Sequence, residues 1–388
     1  MDVTIVGIAG VLLGFLSIVL VLGQSESGGV NRVGLVFVLA VVQVLTAIFF
    51  YNWALTNTTD AATYYFDPYD FYLRGFQLNT GFIIWIVQSL KGSVGGTYLD
   101  YFLLFQATGT WGLVFLLKTY EDVFKLAGQK IPWPLYLTLF LPGFHFWTAY
   151  IGKDGLLFLA AVMTVWAAIS IRDRWLAFGI AVVIMVLVRP HIALLAVAAG
   201  AIAIAFDKRT PPLVKVALAL VSFGGLVAVA GTIRSAFEID VTSAESVTDF
   251  LSAYSQTTQG VAGTTTVAYD SFLLRVVSLL FRPLFFDASG ILGLVASFEN
   301  LVIVYVVYRI VSNFRWVVAL YKGLFVIRFA VLFAVALTLL LSLMYYNVGL
   351  GLRQKLMMMP AYYVVFAAIV ATARRQRSAT SVRRPQIA

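Results

Sequence analysis

The chain has 388 residues, of which 61% are hydrophobic and only 12% are Asp, Glu, Lys or Arg. This charged fraction is about half that of soluble domains, which excludes an ordinary soluble enzyme. The absence of cysteine excludes disulfides, thiolate nucleophiles and cysteine-bound metals, and two histidines are too few for a histidine-rich metal centre. The formal charge of +9 does not indicate nucleic acid, because the basic residues lie mainly between and after long apolar runs.

Eleven apolar stretches have, or approach, the roughly 20 residues that a helix needs to cross a bilayer. They are residues 3–23, 33–53, 99–117, 133–150, 155–171, 175–188, 191–206, 213–233, 290–310, 323–345 and 356–372. The sequence therefore predicts an all-α membrane protein with one polytopic domain over residues 1–372 and a basic cytoplasmic tail over residues 373–388. Gly10 and Gly14 form a GxxxG pair in the first stretch, which predicts close helix packing.

The distribution of charge predicts the orientation. Most of the 27 basic residues fall on one side of the membrane if the C-terminus is cytoplasmic and the N-terminus is outside. The uncertain point is residues 175–206, which form either one kinked helix or two short helices around Arg189. We favour a hairpin, because a single helix would place the arginine-rich tail outside.

Two long segments fall on the outside and are not obvious spans, residues 54–98 and residues 234–286. The first contains an apolar run at 82–90 that is too short to span, so we expect an interfacial or re-entrant helix there. The second is rich in Ser and Thr up to Thr266 and amphipathic over 270–286, which predicts a helix in the interface. Function is expected in these loops.

Cations on the outer side are the candidate phosphate ligands. Arg189 presents a planar fork of donors that matches phosphate oxygens, although arginines at helix ends also snorkel to the interface. Arg275 and Arg282 lie two turns apart on one helix face, where they can clamp a diphosphate or attract lipid phosphates non-specifically. Lys153 and Arg353 oppose the positive-inside tendency, which favours a functional reason for them.

Acids and histidines on the same side are the candidate bases. Asp60 follows the second span without a helix-start pattern, so its carboxylate is a candidate for deprotonating a sugar hydroxyl. Asp154 is either a helix cap or a second acid, and His145 is expected more as a buried imidazole than as a base. Glu299 lies inside an apolar stretch, where it can pair with an arginine, hold a helix contact or couple protons in a transporter.

Aromatic and capping residues crowd the first outer loop. Tyr64 and Tyr65 belong to a dense group of tyrosines whose rings can hold sugars beside carboxylates. Asp67, which precedes a proline, is expected to cap a helix, and Asp70 is expected to pair with Arg74 four residues later.

Several pieces of the sequence resemble bacterial polytopic proteins related to the Wzy-type repeat-unit polymerases, over about residues 33–372. These pieces are Pro142, Phe146-Trp147, Ile151-Gly152-Lys153-Asp154, Arg189-Pro190-His191, Phe281-Arg282-Pro283-Leu284-Phe285-Phe286 and Glu299-Asn300. The resemblance implies a GT-C-like helical fold that joins polyprenyl-diphosphate-linked oligosaccharides at the outer face of the bacterial inner membrane. It also implies no nucleotide sugar, no metal and no other cofactor.

The resemblance further implies roles for individual residues and partners. Arg189 and Arg282, together with Arg353, would hold the donor diphosphate and stabilise it as it leaves. Asp60 or His191 would be the base, with Asp154 behind them. The implied partners are the lipid-linked glycan, membrane lipids, a flippase and a chain-length regulator. The largest outer loop departs from the family, because it lacks the paired arginine motifs of the best-known polymerases.

Three other functions stay open at the level of sequence. A transferase that moves one sugar from a polyprenyl monophosphate would carry an essential acid in the first outer loop, and Asp60 is available. A transporter or flippase would show matched half-repeats and use Glu299 for coupling. A subunit of a glycan-export complex would use the arginines only as lipid anchors.

Overall fold

The computed structural model describes residues 3–22, 30–207, 271–345 and 347–382, and parts of 210–227. Regular structure in these residues is helical, and no β-strand occurs among them. The helices are α1 (Ile5–Leu16), α2 (Arg32–Ala54), α3 (Asp60–Phe66), α4 (Thr80–Val94), α5 (Tyr98–Leu126), α6 (Trp133–Leu137), α7 (Pro142–Phe146), α8 (Lys153–Ile169), α9 (Trp175–Val188), α10 (Pro190–Ala205), α11 (Phe272–Phe281), α12 (Gly290–Ser312), α13 (Phe314–Gly323), α14 (Phe325–Leu343) and α15 (Val348–Val382).

Five of these helices, α2, α5, α12, α14 and α15, are long and apolar enough to cross a membrane. The shorter helices α9, α10 and α11 and the combined α1 and following 3-10 turn are apolar as well. The chain is therefore an all-helical protein of the multi-pass membrane class. The predicted stretch 213–233 and the Ser/Thr-rich part of the second outer loop lie partly or wholly outside the described residues.

Small residues bring α1 directly against α5, as the GxxxG pair predicts. A Cβ atom on Gly10 would lie 2.4 Å from the carbonyl oxygen of Leu103, and one on Gly14 would lie 2.9 Å from Gln106 Nε2. The contact is fixed at its end by Asp100, which accepts hydrogen bonds from the backbone N–H of Thr4 at 3.0 Å and from its hydroxyl at 2.8 Å.

Residues 175–206 form two antiparallel helices. α9 ends at Val188 and α10 begins at Pro190, and Arg189 between them has φ −151° and ψ 86°, which no helix contains. Near the other end of the pair, the ring of Phe178 would lie 3.4 Å from a Cβ on Gly200. Because these two residues are equally far from Arg189 in the sequence, the chain reverses there and the hairpin interpretation agrees with the structure.

The predicted span over residues 133–150 is wrong as a continuous helix. The chain there forms α6, a 3-10 turn at Thr138–Phe140 and α7, because Pro142 has no N–H and forces the preceding Leu141 into an extended conformation. Broken backbone at membrane depth is tolerated where protein surrounds it. Here Gln43 of α2 donates to Thr148 Oγ1 at 2.7 Å and its amide oxygen lies 2.7 Å from His145 Nδ1. His145 is thus a buried, hydrogen-bonded imidazole.

The last predicted span, residues 356–372, is too short. α15 begins at Val348 and continues to Val382, so Arg353 and Lys355 lie in the first turns of a helix and not in a loop. Because α15 continues to Val382, the predicted tail from residue 373 begins as part of this helix. The third predicted span is also longer than expected, since α5 continues to Leu126.

Apart from the local pair of Arg282 with Asp287, the ion pairs of the described residues form two groups at opposite ends of the helices. Arg32 pairs with Glu121 at 2.8 Å, and Arg174 pairs with Asp122 at 2.7 Å. At the other end, Arg353 pairs with acids from α3 and α8. Each group joins residues that the charge distribution assigns to one side of the membrane.

Candidate functional site

Five charged residues from four separate parts of the chain converge at one end of the bundle. We call this group the charge cluster; its members are Asp60, Lys153, Asp154, Arg189 and Arg353. Asp60 begins α3, Lys153 and Asp154 begin α8, Arg189 is the tip of the α9–α10 hairpin, and Arg353 lies in the first turns of α15. Ionisable groups at such depth are costly unless they meet one another, which accounts for their convergence.

Arg353 is the centre of the charge cluster. Its Nη1 lies 2.8 Å from Asp60 Oδ2, while Nη2 and Nε each lie 2.9 Å from Asp154 Oδ2. Nη2 also donates to the hydroxyl of Tyr150 at 2.6 Å. All three guanidinium nitrogens are therefore engaged by protein groups. The geometry favours a role in holding the two carboxylates over the predicted role as a diphosphate ligand.

Asp154 is the buried anchor of the cluster. Its side chain is 1% exposed, and besides Arg353 it accepts a hydrogen bond from the Tyr150 hydroxyl and faces Arg189 Nη2 at 3.7 Å. Its Oδ2 is held by these donors, whereas Oδ1 has no hydrogen-bond partner in the described residues and only Arg189 nearby, so the sealed carboxylate fits an anchoring role.

Asp60 is the accessible acid of the cluster. Its side chain is 51% exposed, although one oxygen is held by Arg353. No helix start was predicted at this residue, yet α3 begins here, and an acid in the first turn interacts favourably with the positive end of a helix dipole. An exposed carboxylate fixed on one side is well arranged to accept a proton from a bound ligand.

Positive charge exceeds negative charge in the cluster, since three cations face two carboxylates. The Lys153 ammonium donates to Asn79 Oδ1 and Thr80 Oγ1, both at 2.7 Å, and among the described residues it forms no ion pair. His191 lies close to Arg189 and Lys153, in the first turn of α10. Arg189 and Lys153 form a basic surface beside Asp60 that suits an anion.

Asn79, Thr80 and Tyr150 are site residues that the sequence reasoning missed. The Asn79 backbone N–H donates to the Leu187 carbonyl at 2.8 Å, which ties the first outer loop to the hairpin tip. Asn and Thr directly before the apolar run at 82–90 are typical of a helix start, so that pattern could have indicated them. The predicted helix in this loop is present as α4.

Tyr64 and Tyr65 are packed inside the first outer loop. Tyr64 is 3% exposed, and burial, reinforced by the nearby Asp60 carboxylate, raises the pKa of its hydroxyl well above the usual range. Tyr65 donates to the Gly96 carbonyl at 2.9 Å, and its ring lies 4.2 Å from Lys91 Nζ. Neither ring offers an open face to a sugar, whereas Tyr69 and Tyr72 are exposed.

Capping in the first outer loop follows the prediction in part. The Asp67 carboxylate accepts from the backbone N–H of Phe71 at 2.9 Å and of Tyr72 at 2.8 Å, so it caps a 3-10 turn instead of the expected helix. Arg74 lies over the Phe71 ring at 4.6 Å. The expected pair of Asp70 with Arg74 is not formed within the described part of the chain.

Arg282 and Arg275 lie on α11 and the turn that follows it. Arg282 binds the carboxylate of Asp287, five residues later, and its carbonyl oxygen accepts from Lys355 Nζ at 2.9 Å. Arg275 is half-buried two turns earlier. The joint clamp of Arg189 and Arg282 stays a prediction.

A pocket of about 350 Å³ adjoins the cluster between the end of α2, α7, α12 and α15. We call it the acid-lined pocket, because Glu299 lies among its apolar and aromatic walls. Glu299 Oε2 accepts from the backbone N–H of Gly143 at 2.7 Å, so it holds a contact between α12 and α7. Trp147 connects the acid-lined pocket with the charge cluster. It lines the pocket, and the Arg353 guanidinium lies 5.7 Å from its ring centroid.

Comparison with known proteins gives no match to a family model, to a curated protein or to a solved structure. Across the described ranges, no group of three or more acidic or histidine side chains is arranged to hold a metal ion.

Proposed function

We propose that this chain is a glycosyltransferase that polymerises polyprenyl-diphosphate-linked oligosaccharide repeat units into a surface polysaccharide. In this proposal the charge cluster faces the outer side of the bacterial inner membrane, with the N-terminus outside and the C-terminus cytoplasmic. The fold would then be GT-C-like, with the first outer loop contributing the base.

The observation that carries the proposal is an exposed acid next to unmatched positive charge. Asp60 is open to a ligand on one side, while Arg189 and Lys153 give the cluster more positive than negative charge. A diphosphate supplies the missing negative charge, and a hydroxyl supplies a proton for the acid. Transfer from a lipid-linked diphosphate donor requires both.

The chemistry follows from this arrangement. The acceptor hydroxyl oxygen attacks the anomeric carbon of the donor sugar, and its proton passes to the Asp60 carboxylate. The bond from the anomeric carbon to the diphosphate oxygen breaks, and that oxygen keeps the electron pair. Arg189 and Lys153 stabilise the negative charge that develops on the diphosphate. Arg353 holds Asp60 in place during the transfer.

A second candidate is transfer of one sugar from a polyprenyl monophosphate. The same position of Asp60, exposed and at the start of the first outer loop, favours it. The products distinguish the two, since polymerisation gives a ladder of repeats and single transfer changes each unit by one sugar. A transporter function has less support, because the Glu299 carboxylate that would couple protons already accepts a hydrogen bond from the Gly143 backbone N–H.

The test is complementation of cells that lack the protein and make a surface glycan. We expect the native chain to restore a ladder of repeats on a gel, and Asp60→Asn to leave single units, because loss of a general base reduces rate by about a hundredfold or more. The matched control is Asp70→Asn, an exposed acid in the same loop. The control should restore the full ladder.

Three results would contradict the proposal or a part of it. A normal ladder with Asp60→Asn, at native protein level, excludes this acid as the base. A ladder that never depends on the protein excludes polymerisation, and transfer of single sugars then becomes the next test. A reporter fused after Arg374 and found outside would reverse the proposed orientation.

A further inference from the structure

The acid-lined pocket contains polar groups that its own walls do not satisfy. Glu299 Oε2 is bound to Gly143, but Oε1 makes no hydrogen bond within the described residues. Lys355 Nζ donates to the Arg282 carbonyl at 2.9 Å and to Asn300 Oδ1 at 2.7 Å, which leaves one N–H of the ammonium. Glu299 and Lys355 act on each other electrostatically without forming an ion pair in the described part of the chain.

These two groups call for a ligand atom that both donates and accepts. A hydroxyl does so, since its hydrogen bonds to the carboxylate oxygen and its own oxygen accepts from the ammonium. A hydrocarbon chain does neither, and it would strip water from a carboxylate and an ammonium without replacing the hydrogen bonds, which is unfavourable.

The walls of the pocket suit a ring with one apolar face. Trp53 and Trp147 line it, and the ring of Phe146 lies edge-on to both, with centroid distances of 6.1 Å and 4.8 Å. The volume of about 350 Å³ lies within the range of small-molecule sites, roughly 300 to 1,000 Å³.

The position of the pocket relative to the charge cluster identifies the ligand further. Arg353 adjoins both, because it binds Asp60 in the cluster and its guanidinium lies 5.7 Å from the ring centroid of Trp147, which lines the pocket. The cations Arg189 and Lys153, which give the cluster its excess positive charge, belong to the cluster and not to the pocket lining. A phosphate therefore fits the cluster, and an uncharged hydroxylated ring fits the pocket.

We infer that the acid-lined pocket binds a sugar ring, with one ring hydroxyl held between Glu299 and Lys355, and that this ring belongs to the acceptor glycan. The identification of the ring as the acceptor rests on the proposed function. The sugar site itself does not, because it follows from the pocket alone.

The test is photolabelling of the full chain in lipid nanodiscs. The probes are alkyl-diazirine glycosides of glucose, galactose, mannose and N-acetylglucosamine, and a sugar-free alcohol with the same alkyl diazirine. We expect at least one glycoside to label residues 290–303 or 348–359 saturably, as read by mass spectrometry. The alcohol should neither label these residues saturably nor displace the glycoside.

Variants make the test specific. Glu299→Gln and Lys355→Met should each weaken glycoside labelling about tenfold or more, the effect of losing a hydrogen bond to a charged group. Glu121→Gln, an acid at the opposite end of the helices, is the matched control and should label normally. If Glu299→Gln fails to fold, Ala296→Phe narrows the pocket from α12 and should also abolish labelling.

Equal labelling by the alcohol, with no effect of Glu299→Gln, would show a hydrocarbon site and overturn the inference. The inference would also be overturned if none of the glycosides labels the chain saturably. Saturable labelling in a protein that builds no ladder in cells would keep the sugar site and reject the proposed polymerase.

Discussion

Replacement of Arg353 by methionine should destabilise the protein strongly. The substitution leaves Asp154, with a side chain 1% exposed, as a buried carboxylate whose nearest cation is Arg189 at 3.7 Å. Removal of one partner from a buried ion pair costs about 3 to 5 kcal/mol. The contact with Asp60 adds little to this cost, because that carboxylate is half-exposed.

A double-mutant cycle separates the ion pair from the other contacts of Arg353. In Asp154→Asn with Arg353→Met, both charges are absent and the asparagine oxygen can still accept from Tyr150, so the double variant should recover most of the lost stability. The assay is the free energy of unfolding in mixed micelles titrated with SDS, followed by circular dichroism.

Arg74→Met, which removes an exposed arginine, is the control and should change stability by less than about 0.5 kcal/mol. A loss as small as that of this control would show that Arg353→Met breaks no buried ion pair. A double variant that loses the sum of the two single losses would show that the two residues are not coupled.

The same titration tests two further contacts. Gly10→Val should destabilise the protein by about 1 to 3 kcal/mol, because the new Cβ would meet the α5 backbone. The control is Gly92→Val, which has open space around its Cβ and should destabilise the protein much less. Equal losses of stability would exclude close packing as the cause. Gln43→Leu should cost about 1 to 3 kcal/mol, because His145 Nδ1 loses its buried partner and Thr148 Oγ1 loses its donor; unchanged stability would show that water replaces the amide.

The members of the charge cluster could be predicted from the sequence because charge is rare and expensive in an apolar chain. Asp60, Asp154, Arg189 and Arg353 were all candidates on that ground, and their shared side followed from the charge distribution. Which atoms meet could not be predicted, because spacing along the chain says nothing about which span lies beside which. Arg353 was thus expected to bind phosphate, which stays a prediction, but its ion pairs with Asp60 and Asp154 were not expected.

Other features of the structure could not be predicted from the sequence. The apolar run at residues 133–150 has the length of a span, but it contains Pro142, and hydrophobicity alone does not register a missing backbone donor. The neutral partners of Lys153, Asn79 and Thr80, could not be predicted, because they lie in a loop distant from Lys153 in the sequence. The acid-lined pocket joins four distant segments and could only be found in three dimensions.

The central claim is that this chain alone transfers glycan between lipid-diphosphate carriers, with Asp60 as the base. The most direct measurement reconstitutes the purified protein in liposomes with extracted lipid-linked repeat units and follows both glycan length and released lipid diphosphate. We expect longer glycans and one released lipid diphosphate per added unit with the native chain, and neither with Asp60→Asn. Extension by Asp60→Asn at the native rate, or no extension by folded native protein, would contradict it.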